Sequence, residues 1–227
     1  SISMTKQIIV ALDEYDQIKF DKVLDQLDPN LCMVKVGSVS FNSLGRESVI
    51  RAASKGFDIF LDLKLHDIPN TVKKSVEGLK NLPIKMMTAH TSGGQRMLEE
   101  SVAAIIDTDI KIFGVTALTS LSDSDTNYIY KRQAEEQVLA MIELAKKSNI
   151  HGVVCSPQEL SLVKNNSNLL TITPGIRLKS LDDDQARVMT PKQAIDNGSD
   201  FLVIGRPITA ADDIKKSLIE IHDSIQK

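Results

Sequence analysis

Eight short apolar runs, each followed by a stretch with helical periodicity, pace this chain from end to end. They are Gln7–Asp13, Cys32–Gly37, Phe57–Leu65, Ile84–His90, Lys111–Thr119, Gly152–Cys155, Leu169–Thr173 and Phe201–Gly205. Runs this short, rich in β-branched residues, fit strands better than helices. Between them, Phe20, Val23, Leu24 and Leu27 fall at i, i+3, i+4 and i+7, the spacing of one helix face. Val72, Val76 and Leu79 repeat it, as do Ile214, Leu218, Ile221 and Ile225. Gln133 to Lys147 reads as a further helix with Val138, Ile142 and Ala145 inward. Several runs are apolar on both faces, as parallel strands covered by helices must be. The expectation is α/β, a single (β/α)8 TIM barrel over residues 4–227. An open doubly wound sheet is the alternative. The first run ends Val10-Ala11-Leu12-Asp13-Glu14, with no glycine cradle for a dinucleotide, which favours the barrel.

No Pro/Gly/Ser-rich linker divides the chain, and 227 residues suffice for one substantial core. The net charge of -3 provides no general basic field, so no nucleic-acid surface is expected. The two cysteines, Cys32 and Cys155, sit in apolar runs and read as reduced, buried residues. No apolar stretch is long enough to span a membrane, so the expectation is no membrane partner and cytoplasmic residence. Ser1 to Ser3 read as an expression scar before a natural start at Met4.

Function in a barrel sits at the C-terminal ends of the strands. Those ends carry Asp13, Lys35, Asp62, Lys64, His90, Thr119, Arg177 and Arg206. The third run leads into Asp62-Leu63-Lys64-Leu65-His66-Asp67-Ile68-Pro69-Asn70-Thr71. Strand alternation sends Phe60, Asp62 and Lys64 to one face and Leu61, Leu63 and Leu65 to the other. With the leucines under helices, the charged pair faces the barrel mouth. The same parity turns Lys35 inward, and Asp13 with Ala11 and Ile9. Two lysines interleaved with aspartates suit a reaction that develops negative charge on carbon and then needs a proton. A lysine flanked by carboxylates stays protonated, stabilises the anion and acts as general acid. The plain alternative is a buried ion-pair network that only holds the barrel; four charges on converging strand ends exceed that need.

Phe201-Leu202-Val203-Ile204-Gly205-Arg206 ends the last strand on Gly then Arg, and Pro174-Gly175-Ile176-Arg177 follows the seventh. Glycine admits an anion to the backbone, and arginine grips phosphate oxygens in a fork. Barrels commonly hold phosphate there. Two tight turns bearing surface arginines are the plain alternative. The aperiodic stretch Leu178 to Thr190 reads as a closing loop, with Gln185 an uncharged donor. Asp182-Asp183-Asp184 within it reads as a solvated patch, since consecutive residues point apart. No histidine pair has metal-ligand spacing, so no metal site is expected. His90 is expected in a hydrogen-bonded structural role, and Asn70 or Thr71 as a helix cap preceded by Pro69.

These motifs resemble orotidine 5′-phosphate decarboxylase. The resemblance rests on Asp62-x-Lys64-x-x-Asp67 with its Ile68-Pro69-Asn70-Thr71 tail. It extends to Val10-Ala11-Leu12-Asp13, Val34-Lys35-Val36-Gly37, Thr116-Ala117-Leu118-Thr119-Ser120, Pro174-Gly175-Ile176-Arg177, Gln185 and Gly205-Arg206, in the family's order. It implies a barrel homodimer converting orotidine 5′-phosphate to UMP and carbon dioxide in pyrimidine synthesis, with no metal or organic cofactor. It implies that Lys64 protonates the C6 carbanion, with Lys35, Asp62 and Asp67 completing the array. Asp67 and Thr71 would reach the neighbouring subunit's site. Asp13, Lys35 and Thr71 would meet the ribose, Thr119 or Ser120 the pyrimidine edge. Arg177, Gln185, Gly205 and Arg206 would hold the phosphate and closing loop. The chain is also similar to the magnesium-dependent sugar-phosphate lyases, 3-keto-L-gulonate 6-phosphate decarboxylase and hexulose-phosphate synthase. Those carry an acidic metal ligand on the second strand, where this chain has Lys35, and a lysine repels a divalent cation. A barrel that only senses a phosphate ligand is the non-catalytic alternative.

Overall fold

The computed structural model describes residues 6–178 and 189–226. Ser1–Ser3, Gln185 and the acidic run Asp182-Asp183-Asp184 lie outside the described residues. Eight parallel strands close in chain order: β1 (Ile8–Leu12), β2 (Cys32–Gly37), β3 (Ile59–Leu65), β4 (Met86–His90), β5 (Lys111–Val115), β6 (Gly152–Val154), β7 (Leu170–Thr173) and β8 (Phe201–Ile204). Ile8 pairs with Cys32 on one side and with Leu202 on the other, which closes the ring. The expected TIM barrel is therefore present. Helices α1 (Gln17–Asp25), α2 (Ser38–Leu44), α3 (Glu47–Ser54), α4 (Pro69–Leu79), α5 (Gln95–Ala104) and α6 (Asp123–Tyr130) lie along its first half. They are followed by α7 (Ala134–Lys147), α8 (Leu160–Asn166), α9 (Pro191–Asp196), α10 (Arg206–Thr209) and α11 (Ile214–Ser224).

Most strands are shorter than the apolar runs that announce them. Phe57 is buried yet precedes β3, because hydrophobicity marks burial and not ladder bonds. The fifth run stops pairing at Val115, and Thr116 to Thr119 form a connection over the barrel mouth. The helix cap after β3 also differs from expectation. Ile68 is the N-cap and Pro69 the first helical residue of α4, so neither Asn70 nor Thr71 caps it. Proline fits that position because its missing N–H would have no partner in the helix.

Alternation divides the buried apolar side chains into two clusters. Ile9, Met33, Phe60, Met86, Phe113, Ile172 and Phe201 fill the barrel interior. Phe113 and Phe201 meet edge to face, with centroids 6.2 Å apart. The second cluster lies between strands and helices and takes Leu61, Leu63 and Leu65 from β3, together with Phe20, Val76, Val138, Ile142 and Leu218. Gly152 opens β6 because space is lacking: an added Cβ would stand 2.5 Å from the Leu170 carbonyl oxygen and 2.6 Å from the Phe113 ring. Cys32 and Cys155 are free and buried, and burial pushes both thiols up to about 12. Among the described residues no helix is long and apolar enough to cross a membrane.

Candidate active site

The inward face of the barrel changes from apolar to charged at the C-terminal strand ends. On β2, Met33 belongs to the interior plug and Lys35, two residues on, reaches the mouth. On β3, Phe60 plays the first role and Asp62 the second. In register, Lys35 lies opposite Phe60 and Ala11, and Asp62 opposite Gly37. Asp62 is 7% exposed and holds both lysines with one oxygen. Its Oδ2 accepts from Lys64 Nζ at 2.8 Å and pairs with Lys35 Nζ at 3.5 Å. Burial alone would raise the Asp62 carboxyl, but the Lys64 and Lys35 charges outweigh it and hold the group below the usual carboxylate range. Two ammonium groups against one carboxylate leave a surplus positive charge facing the cavity.

Lys64 is not in regular strand conformation. Its φ is 49°, in the left-handed region that disfavours a residue with a side chain. The pairing of β3 with β4 shifts there: Leu61 lies opposite Met87 and Leu65 opposite Ala89, so β3 carries extra residues between these points. The displaced Lys64 N–H donates to Thr88 Oγ1 at 3.0 Å, and that hydroxyl donates to Asp62 Oδ1 at 2.8 Å. Sequence reading missed Thr88. It shares the inward parity of Met86 and His90, which is the only signal it carried.

A cavity of about 220 Å³ opens above the array. Lys35, Asp62 and Lys64 form its charged wall, and Val115, Ala117 and Ile172 contribute an apolar one. Thr119 lines it as well. An adjoining depression of about 630 Å³ shares Lys35, Pro174 and Val203 with this cavity and is lined by Asp13, Arg177, Gly205 and Arg206. The two form one trough, from charged pocket to paired arginines. Gly175, at φ 76°, makes the turn that delivers Arg177, whose N–H donates to the Met189 carbonyl at 3.0 Å. Asp13 is bracketed by Ser40 of α2. The buried Ser40 hydroxyl lies 2.7 Å from both the Leu12 and Glu14 carbonyl oxygens and accepts from the Glu14 N–H at 3.2 Å.

Asp67 and Thr71 do not join the array within one chain. Both are exposed, and Asp67 Oδ1 accepts from the Ile68 N–H at 2.7 Å. His90 also departs from expectation. Among the described residues its ring makes no hydrogen bond; it lies 5.1 Å from the His66 ring. Burial, the neighbouring His66 and Lys64 depress its pKa. The half-buried end of β4 packs it by ring contact.

The chain is similar to proteins named orotidine 5′-phosphate decarboxylase. A protein named orotidine 5′-phosphate decarboxylase in Actinobacillus pleuropneumoniae serotype 5b is 44% identical over 98% of this chain and 100% of its own length. One of the same name in Saccharophagus degradans is 44% identical over 95% of this chain and 93% of its own. The crystal structure of orotidine 5′-phosphate decarboxylase from Lactobacillus acidophilus superposes with a TM-score of 0.86 at 35% identity, covering 98% of this chain and 100% of that one. Residues 6–221 match the model of a family described as orotidine 5′-phosphate decarboxylase / HUMPS. The barrel, the charged array and these likenesses agree, and the chain belongs to the orotidine 5′-phosphate decarboxylase / HUMPS family.

Proposed function

We propose that this chain is an orotidine 5′-phosphate decarboxylase, converting orotidine 5′-phosphate to UMP and carbon dioxide in pyrimidine synthesis in the cytoplasm. The observation that carries the reading is the Lys35–Asp62–Lys64 array inside a trough that ends at Arg177 and Arg206. The arginines and Gly205 hold the phosphate, together with Gln185. Asp13 and Lys35 bind the ribose, and Thr119 meets the pyrimidine edge. The substrate carboxylate then lies beside Asp62 and Lys64. The C6–carboxylate bond breaks, carbon dioxide leaves, and the electron pair stays on C6. The Lys64 ammonium stabilises that pair and delivers its proton to C6, forming UMP. Phosphate binding remote from C6 contributes to the rate by holding the ring in place.

In this reading the lysines supply the positive charge, and no metal or organic cofactor takes part. Lys35 also separates the chain from the magnesium-dependent lyases of the same family. An ammonium 3.5 Å from Asp62 occupies the place where a divalent ion would need another carboxylate. Asp67 and Thr71, exposed on one chain, complete the site of a second copy in a homodimer.

The test is ultraviolet absorbance of the purified protein mixed with orotidine 5′-phosphate, with and without EDTA. Conversion to UMP that resists EDTA is expected. A folded protein that leaves orotidine 5′-phosphate untouched but turns over a 3-keto sugar phosphate with magnesium would replace this reading with the lyase. UMP binding with no turnover of either substrate would favour the sensor.

A further inference from the structure

We infer that Thr88 is the positioning residue for Lys64, holding both ends of that lysine through a single hydroxyl. The inference deepens the decarboxylase reading and rests on it for the role of the ammonium. A threonine hydroxyl has one proton to give and lone pairs to receive. Here the proton goes to Asp62 Oδ1 at 2.8 Å, and a lone pair receives the Lys64 N–H at 3.0 Å. The other Asp62 oxygen receives Lys64 Nζ at 2.8 Å. The chain of contacts is therefore a closed ring: Lys64 backbone, Thr88 hydroxyl, Asp62 carboxylate, Lys64 ammonium.

The ring addresses two costs. A left-handed lysine is unfavourable, and it persists only where its surroundings fix it. The ladder between β3 and β4 is interrupted at this point. Thr88, on β4 itself, supplies from its side chain the acceptor for the Lys64 N–H. It is 1% exposed and faces the site from below, so it touches no ligand. Its effect reaches the reaction only through the aim of Lys64 and the rotamer of Asp62. Valine keeps the shape of threonine and removes the hydroxyl; serine keeps the hydroxyl.

The experiment compares the full chain with Thr88→Val, Thr88→Ala and Thr88→Ser. Steady-state decarboxylation, calorimetric UMP binding and crystal structures of each are the readouts. Thr88→Val is expected to lower kcat about 100-fold, the scale of an ångström of misplacement. KM and the Kd for UMP stay near the parent values, and Thr88→Ser restores most of kcat. Thr88→Ala carries the same expectation if the valine variant does not fold. Parent kcat in the valine or alanine variant overturns the inference. So does a folded serine variant that restores nothing, or a loss that falls equally on UMP affinity. If the parent itself leaves orotidine 5′-phosphate untouched, the decarboxylase reading falls, and the crystal structures still decide the positioning. Without the hydroxyl, Lys64 must leave its left-handed conformation or its 2.8 Å contact with Asp62. Retention of both overturns the inference whatever the activity.

Discussion

Asp62→Asn removes one charge and almost no volume, and the structure sets what that should cost. Lys35 Nζ lies 3.5 Å and Lys64 Nζ 2.8 Å from the same Asp62 oxygen, so the two ammonium groups are at most about 6 Å apart. Their mutual repulsion is present in both forms, and the substitution removes the attraction that offsets it: for Asp62 and Lys35 at 3.5 Å, about 5 kcal/mol at an effective dielectric of about 20 and about 1 kcal/mol in bulk water. The Lys64 side chain is 37% exposed and the Lys35 side chain 17%, and a neutral amide costs less to bury than a carboxylate, so the net loss of attraction is about 1–2 kcal/mol. Loss of the charge-assisted bond to Lys64 adds about 1 kcal/mol, since asparagine still accepts a weaker one. Asparagine has a single oxygen, so if it accepts from Lys64 the Thr88 hydroxyl loses Oδ1 as its acceptor and faces the amide N–H instead. The expected total is about 2–3 kcal/mol, or a fall in Tm of about 4–10 °C for a chain of this size. Thermal and urea unfolding of the ligand-free protein measure it. Adding Lys35→Met should recover at least half of the loss, because it removes the repelling partner. A variant as stable as the parent, or a double variant no better than Asp62→Asn, would show that the array is not electrostatically coupled as its geometry requires.

Gly152→Ala should destabilise by about 1–3 kcal/mol, because its Cβ meets the Leu170 carbonyl and the Phe113 ring closer than atoms can approach; urea unfolding reads it. His151 accepts the Ile112 N–H on Nδ1 at 2.9 Å, which only an unprotonated Nδ1 can do. Burial and then Lys111 depress its pKa below 6.5. Its folded pKa lies below the unfolded one, so its contribution is complete above pH 6.5 and is lost as pH falls through the depressed value. The urea midpoint of the parent should therefore drop on acidification more than that of His151→Gln, and parallel curves would refute this. Lys64→Ala should abolish turnover of orotidine 5′-phosphate while UMP still raises the Tm; turnover at the parent rate removes Lys64 as proton donor. If Arg206 holds the substrate phosphate as proposed, Arg206→Ala should raise KM at least tenfold, measured in the same absorbance assay.

The barrel was legible because its two periods are physical. Residues such as Val76 and Leu218 must face strands every three or four positions, and Met33, Lys35, Phe60 and Asp62 must alternate. The inward placement of Lys35 and Asp62 followed from that parity alone. Strand ends were less legible, since Phe57 is as buried as a strand residue without being in a ladder. Lys64 hides its most consequential property. Nothing in a lysine announces a left-handed backbone, and the parity that sent it inward assumed a regular strand which breaks at that residue. Thr88 was hidden for a related reason: a hydroxyl among Met86, Met87 and Ala89 signals nothing until the displaced N–H that it accepts is located. Asp67 and Thr71 are prominent in sequence, yet a single chain leaves them facing solvent.

The separation of the barrel plug from the outer apolar shell bears on how this protein can be altered. Phe60, Phe113, Ile172 and their neighbours form a cluster that shares no member with the one beneath the helices. Substitutions in the two sets should therefore combine almost additively. The plug is also the floor on which Lys35 and Asp62 stand, two residues above Met33 and Phe60. A library confined to the plug would raise, lower or tilt that floor while the helical wall stays as it is. The depth of the pocket is thus a variable that can be tuned apart from the packing that holds the barrel closed.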